Sequence, residues 1–509
     1  MGDSELVDSS ARIGAAADPF VGRQHELALL CQAFDDAAGG HGRLIMLVGE
    51  PGIGKTTLAS EFDYIARQRG ARVVWGRCWE GDGAPVFWPW VQVIRAYAAT
   101  QDPATLREQM ETVAPDLLRM VPDLARHLPE FSMTVADPEA ARVRLFDAVV
   151  TFFRNAASRR ALVVILDDLH RADDASLRLL DFLARESAGA RILVVGSYRD
   201  TETGRDHPLS AVLGDVAAQN QSVALGGLSE RDVSRLLEGR TGQAALPEVA
   251  AVVHARTEGN PLFVAEFVRL IRSDPDCDAP ERVTTLLPRG VRDAIRLRCG
   301  HLSEHCQLVL STAAAMGRDF DLDILARVAG AEILRSSSAL DLLAALDEAI
   351  AAGLVSPLSS TPKQYRFSHV LVPDTLYGDL ASSKRITLHL WVGRALEELR
   401  GAQLESRLAA LAYHFGKAAA GGQNDAEQKA FEYAVKAGER AAGQLAYEEA
   451  ALQYEAALQL RDSANRGNGP GGIVRRADLL IALGEAQGRA GETGKARATL
   501  LAAARLARA

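Results

Sequence analysis

The segment VGEPGIGKTTL, Val48 to Leu58, contains the spacing G-x-x-x-x-G-K-T, which is typical of a phosphate-binding loop. Its glycines let backbone N–H groups turn toward phosphate oxygens, and the helix after them presents the positive end of its dipole. Lys55 would neutralise the β and γ phosphates, and Thr56 would bind Mg²⁺. The residues expected to contact the nucleotide are Gly49, Pro51, Gly52, Ile53, Gly54, Lys55, Thr56 and Thr57.

Two adjacent acids follow an apolar run in the later segment ALVVILDDLHRADDASL. The run 161–166 predicts a buried parallel strand, which places Asp167 and Asp168 at the sheet edge where ligands bind. We expect Asp167 to hold magnesium through the coordination shell of the ion. We expect Asp168 to polarise the attacking water, as hydrolysis requires. Asp173 and Asp174 precede a helical stretch and are predicted to be helix caps instead of ligands.

A third apolar run, RILVVGSYRD, predicts a strand that ends in Arg199. The Arg199 side chain would emerge beside the acids, where it could sense the γ phosphate. Without the other two motifs, an arginine at a strand end would be ordinary surface. The runs ARVVWG and SVALGGL add further strands that alternate with helical stretches. Residues 18–228 are therefore predicted to form a P-loop parallel α/β sandwich.

The 509 residues suggest several domains, and the net charge of -9 argues against wrapping nucleic acid through a strongly basic surface. Five cysteines without C-x-x-C spacing favour reduced thiols over a disulfide framework or a zinc site. Residues 1–17, predicted to be disordered, lack the basic and apolar regions of a signal peptide, and the apolar runs are strand-sized. The sequence predicts a soluble cytoplasmic protein without a membrane partner.

Five motifs in order resemble the ATPase module of the large LuxR-type regulators, members of the signal-transduction ATPases with numerous domains (STAND). The motifs are DPFVGRQHEL, GRCWEGDGAPVFWPWVQVIR, LDDLHRADDASL, GSYRD and TEGNPLFV, and the similarity covers most of residues 18–385. The resemblance implies ATP or ADP with Mg²⁺ as cofactors. It also implies that Val21, Gly22 and Arg23 form the adenine-side lip, and that Gly259 and Pro261 close over the base and ribose.

Two positions depart from the family pattern, and one segment is rich in tryptophan. Arg171 stands where relatives commonly carry Trp, and Pro373 stands where they often carry Arg. We expect Pro373 to disturb the start of its helix. Together with Trp75, the segment GRCWEGDGAPVFWPW holds four of the five tryptophans. These rings could stack on a base or a small ligand, but packing against the sheet is favoured.

Two modules follow the predicted ATPase core. Residues 229–285 are predicted to form a helical lid that opens with a capping box of Ser229 and Asp232. In residues 286–385, short helices precede two short strands around a Ser/Thr/Pro/Lys turn, which predicts a winged helix. The family resemblance implies that His369, at the end of the wing, approaches the β phosphate in the ADP-bound form. The alternative is a purely structural histidine.

Residues 386–509 are alanine-rich and resemble tetratricopeptide repeats, possessing two copies of one pattern offset by 46 residues. This offset equals a 34-residue repeat plus twelve residues, which we expect to form a flexible loop around RDSANRGNGPGG. The recurring residues are Gly438, Ala450, Tyr454 and Ala457, then Leu483, Gly484, Gly491, Ala496, Leu500 and Ala503. Stacked repeats would bind a small-molecule or protein signal; the alternative is a helical bundle without a binding role.

The chain looks truncated, because two repeats are too few for a stable solenoid and LLAAARLARA ends without a polar cap. The resemblance implies that full-length relatives continue through more repeats to a C-terminal helix-turn-helix that binds promoters. DNA contact is therefore expected only through that missing domain, or weakly through the winged helix. The favoured function is an ATP-binding, slowly hydrolysing regulatory switch that forms a nucleotide-dependent homo-oligomer. A DNA-loading ATPase resembling origin-recognition proteins and a nucleotide-dependent scaffold that assembles protein partners remain as alternatives.

Overall fold

The computed structural model describes most of the chain beyond residue 19. The described ranges are 20–78, 83–127, 138–203, 207–210, 212, 221–241, 247–273, 291–330, 339–358, 363–399, 402–422, 424–463 and 470–508. The predicted disordered segment 1–17 lies outside them, as do Trp79 and Cys277. No helix within these ranges is both long enough and apolar enough to cross a membrane.

A five-stranded parallel sheet forms the centre of the N-terminal half. Its strands are β1 (Arg43–Val48), β2 (Arg72–Arg77), β3 (Leu162–Asp167), β4 (Ile192–Tyr198) and β5 (Gln221–Ala224). They lie in the order β2-β3-β4-β1-β5. Both β3 and β4 are buried along their whole length, as parallel strands covered on both faces should be. The predicted P-loop α/β sandwich is confirmed.

Helices cover both faces of this sheet. One face carries α1 (Gln24–Ala38) and α2 (Lys55–Gln68). The other face carries α3 (Trp88–Ala99), α4 (Pro103–Met110), α5 (Ala114–Met120), α6 (Pro138–Ala157) and α7 (Asp174–Glu186). Short 3-10 helices span Pro122–His127, Leu169–Arg171 and Asp200–Glu202. The helix α7 is capped by Asp173, whose carboxylate accepts from Ser176 N at 2.9 Å, as predicted.

The tryptophans that the structure describes near the sheet are packing residues. Trp90 is fully buried and its Nε1 donates to the Ser176 carbonyl at 3.0 Å. Trp75 on β2 donates from Nε1 to Asp63 Oδ2 at 3.2 Å. Both indole N–H groups are therefore satisfied by the protein itself, which fits the packing interpretation.

Three helices with a common apolar core follow the sheet. They are α8 (Glu230–Thr241), α9 (Pro247–Thr257) and α10 (Pro261–Ser273). The predicted cap at their start is present: Ser229 Oγ donates to Asp232 Oδ2 at 2.6 Å and accepts from Asp232 N at 3.2 Å.

A small α/β unit comes next and has its own apolar core. Its elements are α11 (Val291–Gly300), α12 (Glu304–Ala314), β6 (Asp319–Asp321), α13 (Leu322–Val328), α14 (Ala339–Ala351), β7 (Val355–Pro357), β8 (Gln364–Phe367) and α15 (Leu371–Gly378). The strands form an antiparallel sheet in the order β6-β8-β7. The two predicted short strands are β7 and β8; part of the turn between them, 359–362, lies outside the described ranges.

Pro373 does not disturb the helix that contains it. The helix begins at Leu371, directly after its N-cap Val370, so Pro373 is its third residue. Backbone N–H groups in a first turn have no acceptor within the helix, and proline therefore removes no helical hydrogen bond there. The expectation that Pro373 would perturb the helix start is wrong.

The C-terminal part is helical. Its elements are α16 (Ser382–Glu397), α17 (Ala402–Glu405), α18 (Leu408–Ala419), α19 (Asn424–Gly443), α20 (Tyr447–Ser463), α21 (Pro470–Ala490) and α22 (Thr493–Arg508). A Cβ atom on Gly438 would lie 2.6 Å from the Tyr454 ring, and one on Gly484 would lie 2.6 Å from Leu500. The recurring glycines therefore allow helices to approach closely. Helical structure reaches Ser463 and resumes at Pro470, so six residues of the expected twelve-residue loop are helical, and the other six, 464–469, lie outside the described ranges.

The helix α20 packs directly on the sheet domain. Tyr447 and Tyr454 belong to the same apolar core as residues of α6 and α7. Beside them, Glu448 Oε1 lies 3.0 Å from Arg142 Nη1 and 2.9 Å from Arg178 Nε. The sheet domain and the C-terminal helices thus form one continuous packed structure.

Candidate nucleotide-binding site

The phosphate-binding loop follows β1 and leads into α2, as the sequence predicts. Gly49, Gly52 and Gly54 have positive φ angles of 153°, 78° and 103°, which residues with a Cβ atom rarely adopt. Lys55 begins α2 and its Nζ donates to the carbonyl oxygens of Gly49 at 2.6 Å and Glu50 at 2.9 Å. Burial lowers the pKa of Lys55, while the neighbouring acids, led by Asp168, oppose that shift.

The first acid at the end of β3 meets the hydroxyl at the start of α2. The two carboxylate oxygens of Asp167 lie 3.3 and 3.1 Å from Thr56 Oγ1. Burial and the charge of Asp168 raise the pKa of Asp167, and a hydrogen bond from Ser197 opposes them. A hydroxyl and a carboxylate are oxygen donors of the kind that Mg²⁺ takes, so these two side chains fit that ion.

Ser197 on the neighbouring strand β4 fixes both acids. Its Oγ donates to Asp167 Oδ1 at 2.5 Å and accepts from the backbone N–H of Asp168 at 2.9 Å. Asp168 has a positive φ of 61°, which is unusual for a residue with a side chain and marks a functional position in many proteins. Its carboxylate lies 3.6 Å from Arg318 Nη1 and 4.0 Å from His170 Nδ1. Burial, followed by the charge of Arg199, lowers the pKa of His170 to about 3 and keeps that ring neutral.

The predicted sensor Arg199 lies at the end of β4, and it is only 5% exposed. Its Nη1 donates to Glu202 Oε1 at 2.6 Å. Arg171, at the position where the family pattern commonly has Trp, lies 3.3 Å from the other Glu202 oxygen. The charge of Arg199 also contributes to the lowered pKa of Lys55.

The segment before α1 contacts the phosphate loop from one side. Arg23 Nη2 donates to the Ile53 carbonyl at 3.1 Å and also bonds the Gly226 carbonyl. Val21 packs on the apolar core of helices α8 to α10. The expected lip of Val21, Gly22 and Arg23 therefore connects the loop to the helices that follow the sheet.

The turn before α10 covers the same loop. Asn260 Nδ2 donates to the Pro51 carbonyl at 3.0 Å, and Leu262 N donates to the Gly52 carbonyl at 3.3 Å. Pro261 begins α10, and its Cγ is 3.9 Å from where a Cβ on Gly54 would lie. Thr57, by contrast, is exposed in the first turn of α2.

Two glycines allow the segments 226–228 and 258–259 to touch through their backbones. Leu228 N donates to the Gly259 carbonyl at 2.8 Å. A Cβ on Gly227 would lie 1.9 Å from the Glu258 carbonyl oxygen, and one on Gly259 would lie 2.1 Å from that of Leu228. We call these two segments the lid seam.

His369 follows β8 in the small α/β unit, and its Nδ1 accepts from Leu371 N at 3.2 Å. Burial lowers its pKa to about 3, and the charges of Arg318, Arg199 and Lys55 add to this shift. The His369 ring is therefore neutral at pH 7.

The structure therefore brings Lys55, Thr56, Asp167 and Asp168 into one site at the C-terminal edge of the sheet. Sequence reasoning missed three residues that complete its contacts: Ser197, Asn260 and Arg318. Ser197 and Asn260 stand inside motifs quoted above, GSYRD and TEGNPLFV, so their positions carried a usable signal. Arg318 belongs to no such motif.

Known proteins resemble this chain over long stretches. An uncharacterized protein of Rhizobium meliloti (strain 1021) is 22% identical over 439 residues, which cover 82% of this chain and 41% of that protein. The chain thus spans about two fifths of the length of this curated relative.

Solved structures that the chain matches include a STAND protein with a tetratricopeptide repeat sensor from Pyrococcus horikoshii. It is 14% identical with a TM-score of 0.49, and the match covers 98% of this chain and 66% of that one. The Aeropyrum pernix ORC2 protein, solved in ADPNP and ADP complexes, is 15% identical with a TM-score of 0.34, over 75% of this chain and 98% of that one. The Aeropyrum pernix ORC1 protein in complex with DNA is 15% identical with a TM-score of 0.32, over 72% and 94%.

Residues 19–195 match the family described as AAA ATPase domain. The matched range holds the phosphate loop, Lys55, Thr56 and both acids, whose contacts are described above. The chain therefore contains an AAA-type ATPase domain.

Proposed function

We propose that the chain is an ATP-binding, slowly hydrolysing regulatory switch of the STAND type, the signal-sensing ATPase portion of a LuxR-type transcriptional regulator. One observation carries this proposal: separate parts of the chain meet at one phosphate loop. Asn260 contacts the loop from the turn before α10, and Arg318 of the small α/β unit lies 3.6 Å from Asp168 beside the loop. A nucleotide at this loop would therefore touch or influence each of these parts.

The site chemistry is that of ATP hydrolysis. Lys55 would bind the β and γ phosphates, and Thr56 and Asp167 would hold Mg²⁺, which offsets phosphate charge when bound. Asp168 would orient the attacking water and accept its proton as the water oxygen bonds to the γ phosphorus. The bond from that phosphorus to the bridging oxygen breaks, and the products are ADP and inorganic phosphate. Arg199 would sense the γ phosphate from the end of β4.

The remaining assignments follow the same proposal. Residues 229–285 act as the lid, residues 286–385 as a winged helix, and residues 386–509 as tetratricopeptide-like repeats that receive the signal. Three short antiparallel strands with helices before and between them support the winged helix. The close contacts of Gly438 with Tyr454 and of Gly484 with Leu500 support the repeats.

Switching requires a ligand that binds one arrangement of these parts better than the other. Val21, Gly22, Arg23, Gly259 and Pro261 would surround the base and ribose. His369 would contact the β phosphate in the ADP-bound arrangement, and its neutral ring can donate a hydrogen bond there. Loss of that contact would favour a more open or assembled form.

The direct test is to purify the chain and identify any nucleotide that co-purifies by mass spectrometry. The size of the protein in solution is then measured in the presence of ADP and in the presence of a non-hydrolysable ATP analogue, and the two values are compared. We expect bound nucleotide and a change in size between the two states. Lys55→Ala should abolish nucleotide binding, because it removes the cation of the phosphate loop; undiminished ATP retention by this variant would refute the assignment.

The second candidate is a DNA-loading ATPase, and the docking of the small α/β unit on the P-loop core fits it as well. The net charge of -9 counts against it. Tight, salt-sensitive binding of duplex DNA by the purified chain would favour this candidate. A nucleotide-dependent scaffold would instead retain partners without turnover.

A further inference from the structure

Arg318 is the residue through which the small α/β unit reaches the acids of the ATPase domain. It stands directly before β6, and its backbone carbonyl accepts from Phe367 N at 2.9 Å. Its Nε donates to the Phe367 carbonyl at 3.4 Å. The side chain is thus anchored at its stem by β8, while Nη1 lies 3.6 Å from Asp168 Oδ2.

The partner of Arg318 has little freedom of its own. The Asp168 backbone is held by Ser197, and its carboxylate is 13% exposed. The Arg318 side chain is 21% exposed, so solvent screens this ion pair only in part. A guanidinium at this distance attracts the carboxylate that the proposed mechanism needs for the attacking water.

We propose that Arg318 is a positioning residue that restrains Asp168 while the small α/β unit is docked on the ATPase domain. The ion pair competes with the attacking water for the carboxylate, so hydrolysis is slow in this arrangement. Movement of the unit by a few ångströms removes Arg318 and frees Asp168. This inference rests on the proposed function and adds the contact through which domain movement changes turnover.

The neighbouring contacts make Arg318 move with its unit instead of staying on the ATPase domain. The next residue, Asp319, pairs with Arg366 of β8 through two bonds of 2.5 and 2.6 Å. Phe320 packs against Phe367 with ring centroids 5.3 Å apart. The strand β6, which follows Arg318 directly, is therefore fixed within the small sheet, and the pair with Asp168 reports whether that sheet is docked.

The test compares ATP turnover of the full chain with that of Arg318→Ala. An ion pair of this exposure supports an expected rise in kcat of about two- to fivefold, with KM for ATP unchanged. Lys363→Ala is the matched control, because it removes an exposed ion pair with Asp323 in the same unit, and it should leave kcat unchanged. Arg318→Lys keeps the charge and should restore slow turnover.

Two further results decide the inference. In an Asp168→Asn background, Arg318→Ala should give no rise, because the restraint acts through that carboxylate. A kcat of Arg318→Ala that equals or falls below that of the wild type would overturn the inference, and a fall would assign Arg318 to phosphate binding. If the wild type hydrolyses ATP but Arg318→Ala shows no rise in kcat, the inference fails and the proposed function survives. If neither protein binds nor hydrolyses ATP, both proposals fail.

Discussion

The lid seam offers a sharp test of how the nucleotide is retained, because two adjacent glycines have opposite surroundings. A Cβ on Gly227 would lie 1.9 Å from the Glu258 carbonyl oxygen, whereas one on Gly226 would meet no atom within 4 Å. An alanine at 227 must therefore push the two backbones apart by more than an ångström. That movement lengthens the bond of 2.8 Å between Leu228 N and the Gly259 carbonyl.

The size of the effect follows from these contacts. Overpacking of this kind costs about 1–3 kcal/mol, and a lost backbone hydrogen bond adds about 1 kcal/mol. The displacement continues to Asn260, whose Nδ2 lies 3.0 Å from the Pro51 carbonyl. If the lid must close for binding, a loss of about 2–4 kcal/mol weakens nucleotide affinity by roughly thirtyfold to several hundredfold.

The assay is calorimetric titration of ADP with Mg²⁺ into Gly227→Ala, with Gly226→Ala as the matched control. Thermal unfolding without nucleotide shows whether each variant is folded. We expect near wild-type affinity for Gly226→Ala and a large loss for Gly227→Ala. Equal affinities in two folded variants would refute the reasoning that lid closure and nucleotide binding are coupled.

Two further predictions concern stability. Glu448→Ala removes the carboxylate that lies 3.0 Å from Arg142, and it should lower the free energy of unfolding in urea by about 1–2 kcal/mol. Arg178→Ala should lower the free energy of unfolding by less, because the Arg178 side chain is 49% exposed. An equal loss in both would contradict the bridging role of the glutamate. Burial lowers the pKa of His389 to about 4 and that of His414 to about 3. Below about pH 6.5 both histidines are therefore protonated in the unfolded chain but remain neutral in the native protein. The free energy of unfolding should therefore fall by roughly 1–2 kcal/mol per histidine as the pH is lowered from 6.5 to about 5. Replacing both histidines by Gln should reduce this pH dependence of the free energy of unfolding, measured by urea titration at each pH. An unchanged pH dependence would exclude the pair as its cause.

The parts of the fold that could be predicted from the sequence are those with local rules. The phosphate loop lies between an apolar run and a helical one, and strand ends of a parallel sheet meet at one edge. Lys55, Thr56, Asp167 and Asp168 could therefore be assigned together. The Ser229 cap was predictable for the same reason, because its partner is three residues away.

The contacts that could not be predicted join distant segments. Ser197 is 30 residues from Asp167, and Asn260 is 209 residues from Pro51. Neither pairing leaves a periodic or spaced pattern in the chain, because each depends on how whole modules dock. The prediction about Pro373 was wrong for a different reason. The effect of a proline depends on how far it stands from the first residue of its helix, and helix boundaries are the least certain part of a prediction from sequence.

The packing of α20 on the sheet domain has a consequence for how this molecule can change. Tyr447 and Tyr454 are covered by the half of the chain that carries the phosphate loop. If the chain were cut between the two halves, each fragment would expose apolar surface to water and would tend to aggregate. Substitutions on the inner face of α20 are consequently limited by the packing demands of both halves at once, whereas its outer face is free of that constraint.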